Sequence, residues 1–208
     1  MAFFQPRRGR AQAAGGTAPE VTGPPEREHG PWDVSERPEL GDRVDLGALR
    51  FSVPEGYAVQ RPSTAVDGQV PVVLVRGPEG ALLLRVFAAP RDRGVWDQLR
   101  ADVIREARDS GGQAEEVDGP FGREVRCQMP VEAPDGRTLV QPNRVVGYDG
   151  PRWTVRGTLL GAVAAEPRDD GDLMGVFRDL VVVRGPEARR AAEPLLLTLP
   201  VSVPQQDS

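Results

Sequence analysis

An α+β domain built on an antiparallel sheet, introduced by an unstructured arm, is what this sequence predicts, on three observations. From Val44 onward, short alternating apolar segments are separated by turn residues, which is the strand pattern. Residues 95–109, and again the stretch after Asp172, change to helical period. Residues 1–40 hold six Pro, five Gly and few large apolar side chains, too little to offset the entropy of ordering them. A chain of 208 residues then divides into an arm over 1–40, one domain over 41–200 and a tail over 201–208. Trp32 and Val34 are the exceptions within the arm. Both are costly to leave wet, so they are expected to dock on the domain.

The elements follow in order. Val44–Leu46 and Leu49–Val53 open the domain, and Tyr57–Gln60 follows the turn at Pro54-Glu55-Gly56. Val70–Arg76 and Ala81–Ala88 flank Gly77-Pro78-Glu79-Gly80, a hairpin whose nearly continuous apolar arms predict strands covered on both faces. Trp96, Leu99, Val103 and Ala107 recur at three- and four-residue steps on an amphipathic helix, entered at Asp92 or Gly94 and ended by Gly111-Gly112. Glu115, Glu116 and Asp118 read as a solvated connection. Phe121–Met129 alternates, with Val125, Cys127 and Met129 facing one way and Glu124, Arg126 and Gln128 the other.

Thr138–Tyr148 and Arg152–Leu160 form a second hairpin about Asp149-Gly150, on which Trp153, Val155, Gly157 and Leu159 share a face. A short helix carrying Leu173, Met174, Phe177 and Leu180 runs into a last strand at Val181-Val182-Val183. The expected core centres on Trp96, Leu99, Val103, Trp153 and Val155, with the first helix packed on the sheet against the Trp153 side.

The residue types that are missing exclude much chemistry. All 26 basic positions are Arg, so there is no Walker A lysine, Schiff base or lysine general base. The single histidine, His29, lies in a Gly/Pro-rich stretch unsuited to holding a catalytic base or metal ligand. Cys127 is the sole cysteine, which excludes an intrachain disulfide and makes a reduced, cytoplasmic setting the default. It shares a face with Val125 and Met129 and reads as an inert buried thiol.

No apolar run approaches the roughly 20 residues of a membrane span, and the first residues lack the apolar core of a secretory signal. No membrane association, metal or cofactor is expected. A net charge of −5 argues against nucleic acid as a partner, and Arg7, Arg8 and Arg10 would give only weak, salt-sensitive attraction.

Two groups of residues invite a site. Asp169, Asp170 and Asp172 lack calcium-loop spacing and read as residues placed ahead of a helix, where its dipole favours them. The second hairpin is more suggestive. With Val146 opposite Trp153, Asn143 lies near Arg156 and Gly147 near Arg152, so guanidinium groups line the face away from the indole, and Arg126 extends the row. Arg126, Arg144, Arg152 and Arg156 are therefore candidate ligands for a phosphate or carboxylate. The competing reading is a solvated face with cross-strand ion pairs.

Gly30-Pro31-Trp32-Asp33, Asp45-Leu46-Gly47-Ala48-Leu49, Ala88-Ala89-Pro90-Arg91, Gly119-Pro120-Phe121-Gly122-Arg123-Glu124 and Gly150-Pro151-Arg152-Trp153 with Arg156-Gly157 stand in order along residues 30–200. Together they resemble an actinobacterial family, domain of unknown function 3710, in keeping with the Arg-only composition. The resemblance supplies no catalytic residues. The order of elements is also similar to the Mog1/PsbP-like fold, which implies an α/β/α sandwich and proteins that mostly bind or assist assembly. The expectation is a cofactor-free, non-enzymatic binding or accessory module with a protein partner. Its rivals are an enzyme or binder of a small anionic ligand, with Arg144, Arg152 or Arg156 as anchors and Glu124 as base, and a weak nucleic-acid-associated accessory protein.

Overall fold

A computed structural model describes residues 28–60 and 69–198. The expectations for most of the arm and for the tail, including Arg7, Arg8 and Arg10, lie outside these residues. In chain order the elements are β1 (Trp32–Asp33), β2 (Val44–Asp45), β3 (Leu49–Phe51), β4 (Ala58–Gln60), β5 (Gln69–Val70), β6 (Val73–Gly77), β7 (Gly80–Ala88) and α1 (Trp96–Asp109). Then come β8 (Gln113–Gly119), β9 (Gly122–Glu132), β10 (Thr138–Gly150), β11 (Trp153–Gly161), α2 (Ala162–Ala165), α3 (Asp172–Asp179), β12 (Val181–Val182) and β13 (Leu197–Thr198).

Seven strands form the main sheet in the order β4-β6-β7-β11-β10-β9-β8, every neighbouring pair antiparallel. A four-stranded sheet, β1-β12-β3-β2, and the pair β13-β5 complete the fold. The protein is α+β, with one large antiparallel sheet that has elements packed against both faces.

Period-two alternation along β11 decides what each face buries. Trp153, Val155 and Leu159 point into a core shared with Leu82, Leu84, Val86, Val146, Phe177 of α3, and Leu49, Phe51 and Val182 of the small sheet. Thr154 lies across from Phe87, and Thr158 across from Val145, on the opposite face. There Trp96, Leu99, Val103 and Ala107 of α1 pack on Phe87, Val125, Cys127 and Val145. The helix therefore takes the face away from Trp153, not the Trp153 side expected from the sequence. Alternation defines two faces, but α1 and α3 both offer an apolar stripe, and only the chain path assigns them. Close approach fixes α1 there: a Cβ at Gly147 would come within 2.3 Å of the Trp96 ring.

The start of α1 is held from outside the helix. Val95 occupies the N-cap without a capping side chain. Instead Asp149 Oδ1, on β10, accepts hydrogen bonds from the Val95 and Trp96 amides at 3.1 Å each, and from the Thr154 hydroxyl. The entry expected at Asp92 or Gly94 is thus a tertiary cap. Gly94 permits it, because a Cβ there would meet the Asp149 carboxylate. Asp149→Ala is expected to cost about 1–2 kcal/mol, the upper part of the range for a lost cap, since three donors lose one acceptor. Equilibrium denaturation measures it, and an unchanged midpoint would show that water replaces the carboxylate.

Three other local expectations need correction. Glu115, Glu116 and Asp118 belong to an edge strand, β8, and not to a connection. Its charged side chains protect an edge whose outer backbone groups face no further strand. The second hairpin turns at Pro151-Arg152, with Gly150 across from Trp153 and Val146 across from Gly157. Pro at the second turn position and a left-handed residue at the third, Arg152 at φ 66°, are what a type II turn requires. Finally, the β6–β7 hairpin is fully covered on one face only. Leu82, Leu84 and Val86 have no exposure, while Leu83 and Arg85 on the other face are half-buried.

Trp32 is buried, and β1 pairs in parallel with β12 through Trp32 and Val181. The Trp153 indole N–H donates to Asp33 Oδ2 at 2.8 Å, so this short strand is tied directly to the main core. Among the described residues no helix is long and apolar enough to cross a membrane.

Candidate functional site

The four candidate arginines do not form one row. Arg144 is across from Arg126 on β9 and from Leu159 on β11, which places both arginines on the Trp153 face. Arg156 points to the α1 face, across from Arg85. Arg152 sits in the turn. Alternation alone separates them: Arg144 shares a face of β10 with Val146, on the Trp153 side, whereas Arg156 alternates with Trp153 on β11. With Val146 across from Gly157 instead of Trp153, the register shift is even and leaves the faces unchanged.

Arg144 is 2% exposed and makes a bidentate ion pair with Glu124, Nε to Oε1 at 2.9 Å and Nη2 to Oε2 at 2.8 Å. Its Nη2 also donates to Asp169 Oδ1 at 2.7 Å. Burial pulls the guanidinium toward losing its proton, and the hydrogen bonds to Glu124 and Asp169 outweigh this, holding its pKa above the ordinary value. Gly119 lets Glu124 into this position, since a Cβ there would lie 2.1 Å from Oε2. Arg126, much more exposed, reaches Glu124 only at 3.5 Å. Glu124 has both oxygens engaged and is therefore an ion-pair partner, not an available base. Asp169 serves the same cluster. Among the described residues no group of three His, Cys, Asp or Glu side chains is placed to hold a metal ion.

On the α1 face, Arg85 and Arg156 lie directly across the β7–β11 ladder, both half-buried and neither in an ion pair. Burial lowers the Arg156 pKa and the neighbouring charge of Arg85 adds to this, against weaker support from Glu106 and Asp102 of α1. Like charges directly across a ladder destabilise it. Around them the sheet is incompletely covered. Packing of α1 falls on β8 to β11, and Leu74, Leu83, Thr158 and Leu160 are half-buried.

The described residues line grooves on either side of β8. One, about 670 Å³, runs between α1 and β8, past Ile104, Arg108 and Glu116. The other, about 520 Å³, lies between β8–β10 and the α2 region, where Arg126, Gln128, Asn143 and Pro167 form its wall. Neither sets a buried carboxylate against an arginine. Glu115, which lines both, is exposed. Cys127 is buried and its thiol is pushed up by desolvation. His29 lies 6.2 Å from the Phe121 ring, which in turn meets Phe177 edge-on. Sequence reasoning missed Arg85, Arg184 and Asp149; the last two have no local signal for these roles, because the Arg152 carbonyl and the Val95 amide lie 32 and 54 residues away.

An α+β domain with a structural buried ion pair, and with cations left unpaired on its surface, is the class of protein that fold and site define. The chain belongs to the family described as Protein of unknown function (DUF3710), which matches residues 30–206. No curated protein matches it. Among solved structures, it is similar to cyanobacterial PsbP (CyanoP) from Synechocystis sp. PCC 6803, at 15% identity over 68% of this chain and 91% of that one, with a TM-score of 0.39. It is also similar to a protein from Bacteroides thetaiotaomicron VPI-5482, at 13% identity and a TM-score of 0.41. That match covers 79% of this chain and about half, 55%, of the other.

Proposed function

We propose that this protein is a non-enzymatic binding or accessory module whose partner docks on the half-covered part of the main sheet beside α1. One observation carries the reading: Leu74, Leu83 and Leu160 lie half-buried around Arg85 and Arg156, two adjacent cations without ion-pair partners. Burying the leucines against a partner gains hydrophobic free energy, and an acidic group on that partner relieves the repulsion between the arginines. The engagement of Glu124 by Arg144 further supports a binding role, since it removes the carboxylate best placed by burial to act as a base. A cytoplasmic setting belongs to the same reading, because the sole cysteine requires no oxidising compartment.

Capture from native lysate by the full chain, alongside Leu83→Ser and Leu160→Ser, tests this. Both positions are half-buried, so the variants are expected to fold. Wild type should retain a stoichiometric partner that both variants lose at least tenfold. A partner retained equally by the variants, or none across salt and growth conditions, would overturn the reading.

A further inference from the structure

Away from that face, the turn between β10 and β11 brings together two arginines that the fold does not neutralise. Arg184 is 91% buried by its 9% relative exposure. Its Nε donates to the Arg152 carbonyl at 3.2 Å, and its Nη1, fully buried, has no hydrogen-bond partner. Arg152 is half-buried, and its guanidinium makes no ion pair or hydrogen bond. Its backbone is left-handed at φ 66°, at a turn position where Gly or Asn would sit without strain.

Burial holds the Arg184 pKa below its ordinary value, and the charges of Arg152 and then Arg189 push it the same way. The acidic residues nearby are committed elsewhere: Glu187 and Glu193 pair with Arg189, at 3.0 and 3.1 Å. The site thus combines a desolvated cation that has an unused donor with a second cation whose side chain is unpaired, on a left-handed turn residue whose carbonyl accepts from Arg184 and from the Ala89 amide.

We propose that Arg152 and Arg184 form an oxyanion site for a phosphate group, with Arg184 as the fixed floor and Arg152 as the arm that closes over the ligand. Two guanidinium groups match a dianion, whereas a single carboxylate leaves one positive charge uncompensated. The Arg152 carbonyl, which accepts from Arg184 Nε, holds the two residues side by side, and Nη1 is the donor left for the ligand.

Thermal unfolding of the full chain in inorganic phosphate, against sodium chloride of equal ionic strength, tests the site. Wild type should gain about 3–6 °C at roughly ten times the dissociation constant. Arg152→Gly should melt at or above wild type without phosphate, because the turn strain is relieved, yet lose most of the phosphate response. Arg184→Met should lose it as well. Phenyl phosphate distinguishes the source of the group: equal binding indicates the free ion, and tighter binding an esterified phosphate. A wild-type response no larger than that to chloride, a full response in Arg152→Gly, or an equal response to acetate would overturn the proposal. None of these outcomes depends on the partner face.

Discussion

Trp153→Ala is expected to destabilise the protein by about 3–5 kcal/mol, enough to unfold a domain of ordinary stability. The indole has no exposure and stands in the main core beside Tyr148, with ring centroids 6.1 Å apart. A Cβ at Gly150 would come within 2.1 Å of its ring, so the cavity left by truncation is walled by backbone that cannot easily collapse. Its N–H also anchors Asp33, so removing the ring releases β1 along with the core contact. Arg152→Ala, one residue earlier but in the turn and unpaired, should change stability by about 1 kcal/mol or less. Urea denaturation of both variants checks the contrast. If Arg152→Ala unfolds the protein and Trp153→Ala does not, the two faces of β11 have been assigned wrongly.

Arg144→Met is expected to cost about 3–5 kcal/mol, because it leaves the buried Glu124 carboxylate without its bidentate partner. The loss reports on an uncompensated charge, not on the net worth of the pair. Replacing both groups, Glu124→Leu with Arg144→Met, should therefore recover most of it, since an apolar pair of similar volume avoids desolvating two ions. Asp169, more than half exposed, can return to solvent at little cost. Denaturation midpoints of the single and double variants test this. A double variant as unstable as the single one would mean that the ion pair supplies packing or register that apolar side chains cannot.

Much of the architecture was legible because it is written at short range. Alternation marked the strands from Val44 onward, and three- and four-residue spacing marked α1 through Trp96, Leu99, Val103 and Ala107. Where charge masked the pattern the reading failed: Glu115, Glu116 and Asp118 resemble a connection because an edge strand needs charge more than apolar surface. The candidate site was legible only as composition. Arg126, Arg144, Arg152 and Arg156 could be singled out, but their sharing a face could not be read from one hairpin: pairing sets Arg126 across from Arg144 on the Trp153 face, Arg156 across from Arg85 on the other, and Arg152 in the turn.

By itself, the sequence determined most of the strands of the main sheet and the helices α1 and α3, which side chains are apolar enough to be buried, and which chemistry is absent for want of lysine and of a second cysteine or histidine. Only the tertiary structure decided that α1 lies opposite Trp153, that Asp149 caps a helix 54 residues earlier, that Glu124 belongs to Arg144, and that Arg184 meets Arg152. Periodicity and turn chemistry act between neighbours along the chain. Which face a helix covers, and which charge it leaves unpaired, depends on contacts between residues far apart in sequence, whose free energies exist only once the sheet is assembled.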